Sequence, residues 1–182
     1  MSRLVFDGDE LSLKLYDGSG KQLGAWPASN FGGPSSDHHT TKKEAYITWV
    51  PDGQYPFEKP SQHVPQRHHK HELDQREGTY GSLGILKLAP IKFGGQIHSG
   101  VGIHAGREHV KDTRTISKTP PVQGHFGGPY HRTNGCIRTT EAAMHAIASV
   151  IAKDPLTRLN VQNNGEHPTG KVEGSDAKVL SR

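Results

Sequence analysis

Gly102-Ile103-His104-Ala105-Gly106-Arg107 and, further along, Thr133-Asn134-Gly135-Cys136-Ile137-Arg138-Thr139-Thr140 are the runs around which the chain is organised. The first is apolar and glycine-flanked, the form of a buried strand, and it ends on a histidine. The second carries the only cysteine among 182 residues. A lone thiol in a short Gly-Cys turn, with a candidate base upstream, outlines a cysteine nucleophile. Thr139-Thr140-Glu141 then supplies a helix N-cap and a first-turn acid. Met144, Ile147, Val150 and Ile151 fall on one helical face, and Lys153 with Asp154-Pro155 stops the helix.

Working outward, Leu83, Ile85, Leu86 and Leu88 predict a strand over 82–88, and Val101 and Ile103 predict another over 100–104. Residues 1–30 alternate in short segments broken by Asp7-Gly8 and Asp17-Gly18, which predicts a three-stranded antiparallel meander. A fourth strand is expected over 45–50, an extended piece over 54–57 after Pro51-Asp52-Gly53, and a last strand over 156–161. The polar, breaker-rich stretches 29–43, 58–77 and 107–132 read as loops. Together these elements make one mainly β domain with minor α over 1–162, followed by a mobile tail over 163–182.

Composition agrees with many short strands. The chain has 22 glycines, 12 prolines and only 31% hydrophobic residues, which disfavours a helical bundle. A net charge of +4 suits an acidic partner, either nucleic acid or an anionic bacterial wall polymer. Lysines and arginines are scattered, however, without the basic run that tracks a phosphate backbone, so nucleic acid is not expected. One cysteine excludes an internal disulfide framework. The N-terminus turns polar after Leu4-Val5-Phe6 and holds no signal-peptide apolar region, and no run reaches transmembrane length. The expectation is a chain made in the cytoplasm, not inserted in a membrane, and exported by a route that reads no N-terminal signal.

Cysteine attacks as thiolate, so its surroundings must lower its pKa or supply a base. Arg132, Arg138 and the following helix N-terminus are each expected to favour the anion, and Gly135 permits the close backbone approach of an oxyanion site. Ile103 should face the core and leave His104 at a sheet rim, with His125 and His131 as rival bases. Thirteen histidines also raise a metal question. His63, His68, His69 and His71 with Glu72 match no closed zinc site, and Leu73-Asp74-Gln75-Arg76 after Glu72 excludes a His-Glu-x-x-His helix. His98 and His104 lack a carboxylate at short fixed spacing. No metal or cofactor is therefore expected. A zinc-dependent hydrolase and a non-catalytic wall-binding module, with Trp26, Trp49 and the tyrosines lining a glycan groove, are the alternatives.

The Ile-His-Ala strand end, a loop, and Thr133-x-Gly135-Cys136-Ile137-Arg138 resemble the catalytic signature of the L,D-transpeptidase (YkuD-type) family, which acts on bacterial peptidoglycan. The resemblance covers mainly 80–151, with an echo in Pro51-Asp52-Gly53-Gln54-Tyr55. Asn134 stands where the family usually has His, and the interval from His104 to Cys136 is longer than usual. Within the family the chain looks most like small antibacterial toxins delivered by type VI secretion.

The resemblance implies a β-sandwich of short antiparallel strands with one helix after the cysteine. Cys136 would be the nucleophile and His104 the base, the Ala105 carbonyl orienting the imidazole and Gly135 contributing to the oxyanion site. Arg138, Arg107, Asn134 and Thr133 would contact substrate. The implied reaction is acyl transfer on the tetrapeptide stem of peptidoglycan in the periplasm. An immunity protein and the secretion machinery are the implied partners.

Overall fold

The structure is a computed structural model that describes residues 1–30, 50–58, 63–64, 80–93, 96–106, 129, 133 and 135–164. It opens on β1 (Ser2–Asp7), β2 (Ser12–Tyr16) and β3 (Gln22–Ser29), paired antiparallel in that order as the Asp-Gly turns predict. The two-residue period of a strand puts Leu4 and Phe6 of β1 and Leu13 and Leu15 of β2 on one face, and all four are buried.

β3 is the corner of the fold. Its residues up to Pro27 pair with β2, whereas Ala28 and Ser29 pair with β10 (Ile137–Thr139). Pro27 has no N–H to give and stands where the strand leaves one partner for the other. From this corner one wing runs through β2 and β1 to β11 (Leu156–Gln162) and β4 (Gly53–Pro56). The other runs through β10 to β9 (Gly102–His104), β6 (Ile85–Lys87) and β5 (His63–Val64).

The curled sheet closes on a single core. Leu4, Phe6, Leu13 and Leu15 come from the first wing, Leu86, Ile103 and Ile137 from the second, and Met144 and Ile147 from the helix α1 (Glu141–Ile151). The result is the expected mainly β architecture with one helix after the cysteine. Most pairings are antiparallel, but β1 with β11 and β9 with β10 run parallel. Both parallel partners are reached through long connections, which a parallel return requires.

The helix begins as its sequence predicts. The Thr140 hydroxyl accepts from the Ala143 N–H at 3.1 Å, and Glu141 occupies the first turn. In β11 the alternation fails, with Thr157 and Arg158 both exposed, because a register shift opposite Ser2 and Arg3 inserts one residue. A separate ribbon, β7 (Ile91–Phe93) with β8 (Gln96–His98), carries no alternation in its sequence that announces it. The extended piece expected over 54–57 is β4 plus a bridge from Phe57 to Leu88. Of the strand expected over 45–50, residues 45–49 lie outside the described residues. So do 31–43, 59–62, 65–77, 107–128 and 130–132 of the expected loops, and 165–182 of the expected tail.

Asn163 and Asn164, at the head of that tail, are held to the fold. Their backbone N–H groups donate to Asp52 at 3.1 and 2.8 Å, and Asn164 is buried. The Asn163 amide also donates to Asp7, which accepts from the Gln162 amide at 2.7 Å and from the backbone N–H groups of Asp9 and Glu10. Burial pushes the Asp7 carboxyl up, but these four donors together pull it below the ordinary value of 3.8. The unfolded chain therefore binds the proton first as pH falls. The stabilisation is complete above pH 3.8 and is lost as pH drops through the lower folded value. Asp7→Asn is expected to cost about 1–2 kcal/mol in urea unfolding at pH 6 and progressively less by pH 2. A cost that does not change with pH would show that the carboxylate charge is irrelevant.

Candidate active site

β9 and β10 bring the two sequence runs together. Their parallel register sets Ile137 beside Ile103 and Arg138 beside His104. Continued back by one pair, it sets Cys136 beside Gly102. Strand alternation then separates the residues by face. Ile103 and Ile137 point into the core, while His104, Arg138 and Cys136 share the opposite face. Cys136 and His104 are diagonal neighbours, about 8 Å apart at Cα from the strand spacing and rise. At Gly102, beside Cys136, the room for a side chain is already taken by β6. A Cβ there would come within 2.8 Å of Ile85 Cγ1 and against the Leu86 carbonyl, so no side chain fits.

His104 is buried, and its Nδ1 lies 2.7 Å from the Ala105 carbonyl oxygen. A carbonyl only accepts, so Nδ1 carries the proton and the basic lone pair of a neutral ring is on Nε2. The Tyr80 ring packs edge-on against the imidazole, 4.6 Å between centroids at 70°. Two residues on, the Ser82 N–H and hydroxyl donate to the Glu141 carboxylate at 2.9 and 2.8 Å, which ties this loop to the helix. Glu141, in the first turn of the helix, thus ties down the loop that walls the histidine.

Cys136 is 8% exposed, and its thiol points to the Gly100 carbonyl at 3.8 Å. Burial pushes the thiol up to about 11, against a partial downward pull from the Gly102 backbone N–H and the Arg138 charge. Arg138 thus favours the anion as expected, Arg132 lies outside the described residues, and the net shift is upward. Desolvation outweighs one buried guanidinium, and the helix N-terminus is too far away to help. Ile137–Thr139 intervene as β10, which places the Thr140 cap about 13 Å along an extended chain from Cys136, beyond the reach of first-turn dipole effects.

The turn that carries the thiol is pinned on every side. Gly135 takes φ 104°, a left-handed value that favours glycine. The Thr133 hydroxyl donates to the Cys136 carbonyl at 2.6 Å. The Asn30 amide donates to the Gly135 and Cys136 carbonyls, at 2.9 Å each. Arg138 is buried, and its Nη1 donates to the Gly106 carbonyl at 2.9 Å, fixing the chain just beyond His104. Arg107, His125, His131 and Asn134 lie outside the described residues. His98 is on β8, in the separate ribbon, and the described residues contain no cluster of three or more potential metal ligands.

Sequence reading placed Cys136, His104, Ala105, Gly135, Thr133 and Arg138 at the site, and the structure brings them together. It missed Asn30, Tyr80 and Gly102. Asn30 falls inside the polar stretch 29–43 that reads as a loop, and Tyr80 lies just ahead of the strand predicted over 82–88. Only the glycine flanking the apolar run hinted at Gly102.

A neutral thiol with a tautomer-fixed imidazole on the same sheet face is equipped for base-assisted nucleophilic attack. Three solved structures are similar to this chain. Bd1075 from Bdellovibrio bacteriovorus matches with TM-score 0.53 and 14% identity, covering 98% of this chain and 52% of that one. An L,D-transpeptidase from Stackebrandtia nassauensis matches with TM-score 0.44 and 11% identity, covering 93% and 58%. An L,D-transpeptidase from Xylanimonas cellulosilytica matches with TM-score 0.42 and 16% identity, covering 88% and 60%. The chain thus spans little more than half the length of these three. No curated protein sequence matches it. The family model for the L,D-transpeptidase catalytic domain matches residues 2–169, nearly the whole chain, and the protein belongs to the L,D-transpeptidase catalytic domain (YkuD) family.

Proposed function

We propose that the protein is a peptidoglycan-modifying cysteine acyltransferase acting on the tetrapeptide stem, releasing or exchanging its terminal D-amino acid. The observation that carries this reading is the parallel β9–β10 register, which sets Cys136 and a Nδ1-protonated His104 on one face beside a pinned Gly-Cys turn.

In this mechanism Nε2 of His104 takes the Cys136 proton as sulfur attacks the carbonyl of the third stem residue. Backbone N–H groups at the Gly135–Cys136 turn stabilise the oxyanion. The bond to the terminal D-amino acid breaks, its nitrogen receives the proton from His104, and a thioester remains on Cys136. Water then gives carboxypeptidase action, a free D-amino acid gives exchange, and a second stem gives a crosslink. The Arg138 charge favours sulfur as it becomes negative. Arg138, Arg107 and Asn134 are assigned to the peptide's polar groups, with Thr133 shaping the turn.

Incubating the purified protein with tetrapeptide muropeptides and identifying products by mass spectrometry tests the reading and names the acceptor. Loss or replacement of the terminal residue is expected. Retention on sacculi with an unchanged muropeptide profile would favour a wall-binding module instead, and activity abolished by a chelator would favour a zinc hydrolase.

Service as a type VI antibacterial toxin, acting in the periplasm and neutralised by an immunity protein, is the finer part of the proposal, and the sequence resemblance supports it. Growth arrest when the chain is directed to the periplasm of a Gram-negative host, but not when it is kept in the cytoplasm, is expected. Unimpaired growth in both cases would remove it.

A further inference from the structure

We propose that Asn30 is a positioning residue that aims the Cys136 backbone N–H at the oxyanion formed during acyl transfer. The inference rests on the acyl-transfer reading above and concerns a residue outside the catalytic signature.

Asn30 follows β3 directly and is fully buried. A primary amide has two donor hydrogens and two acceptor lone pairs, and all four are used. Nδ2 donates to the Gly135 and Cys136 carbonyls at 2.9 Å each. Oδ1 accepts from the Val50 N–H and from the Asn164 amide, the latter at 3.0 Å. Asn164 is braced in turn: its amide donates to the Val50 carbonyl at 2.7 Å, and its backbone N–H donates to Asp52. A group bonded in four directions inside the core has one orientation, and it transmits that orientation to what it holds.

What it holds is the peptide unit next to sulfur. Among the described residues the β3–β10 ladder pairs Arg138 with Ser29 and Thr139 with Ala28, and beyond Arg138 no described strand continues it on that side. The Asn30 side chain takes over where the ladder stops. A trans peptide is planar, with C=O and N–H pointing in opposite directions. Gripping the Gly135 carbonyl therefore fixes the Cys136 N–H, and gripping the Cys136 carbonyl fixes the Ile137 N–H. Gly135, at φ 104°, would otherwise give this peptide unit freedom to rotate. Oxyanion stabilisation depends on donors already aimed before charge develops, so an unheld turn loses rate without losing the thiol.

The distinction makes the role measurable. Alkylation of Cys136 by iodoacetamide is a displacement at carbon that needs thiolate but no oxyanion donor, whereas acylation needs both. Asn30→Asp keeps the size and the Oδ1 acceptor but turns the donor edge into an acceptor facing two carbonyls. Asn164→Ala leaves the Asn30 donors in place and removes their brace, and it serves if the first variant fails to fold. With tetrapeptide substrate, Asn30→Asp is expected to lower kcat about 100-fold with KM little changed, and Asn164→Ala to lower it less. Both should keep the iodoacetamide rate and its pH profile within about twofold of wild type.

A proportional fall in alkylation and acylation would overturn the proposal, because Asn30 would then merely support the thiol. Undiminished kcat in a folded variant would overturn it as well. Acylation by p-nitrophenyl acetate, followed by release of nitrophenol, separates the two readings. If wild type ignores tetrapeptide but is acylated by the ester, the substrate assignment fails, and the same variant comparison on the ester still decides the role of Asn30.

Discussion

Cys136→Ala is expected to lower turnover of a tetrapeptide stem by about 10⁴-fold or more while the protein stays folded. Alanine removes the only sulfur nucleophile and leaves the oxyanion donors, which alone cannot form a thioester. Folding should survive because the thiol lies outside the main apolar cluster, its sulfur meeting backbone groups, the Gly100 carbonyl at 3.8 Å and the Gly102 N–H, while Ile137 and Ile103 carry the packing beneath it. Circular dichroism and a urea midpoint near that of wild type, alongside the activity loss, check both halves. Full activity in this variant would eliminate cysteine chemistry.

His104→Ala is the second large effect, and its pH dependence is more telling than its size. With a thiol pKa of about 11, only about one molecule in 10⁴ holds thiolate at pH 7 without a base. His104 supplies that deprotonation within the reaction, so its removal should cost about 10³–10⁴ at pH 7. The variant then depends on spontaneous ionisation. Its rate should rise about tenfold per pH unit from 7 to 9, because every unit below the thiol pKa leaves tenfold less thiolate. Wild type, with the base in place, should show no such slope. A variant rate as flat as wild type would mean that the thiol ionises through some other group, with His125 and His131 the first to replace.

The contrast between these variants also marks what the sequence could carry. The β1–β2–β3 meander was legible because Asp7-Gly8 and Asp17-Gly18 bracket segments of period two, and α1 was legible from Thr140, Glu141 and the Met144–Ile147 face. Pairing of His104 with Cys136 rests on residue types and on the family resemblance, since no local pattern encodes a parallel pairing across residues 107–132. The burial of the thiol is not legible in the sequence for a related reason. Arg138 and Arg132 can be counted in a sequence, whereas the burial that raises the thiol pKa arises only when β9, β10 and the core assemble. Asn30 escaped notice because its partners, Gly135, Cys136, Val50 and Asn164, are distant in the chain. An asparagine after a strand, followed by Phe-Gly-Gly-Pro, reads locally as the start of a loop.

The two large predictions share one intermediate, a thioester between Cys136 and the third residue of the stem. Mass spectrometry of wild-type protein quenched in acid during turnover of a tetrapeptide muropeptide observes it directly. The expected result is a covalent adduct of the stem lacking its terminal D-amino acid, mapped to the peptide containing Cys136 and accumulating with release of that amino acid. Product formation with no adduct at Cys136, undiminished in Cys136→Ala, would contradict it.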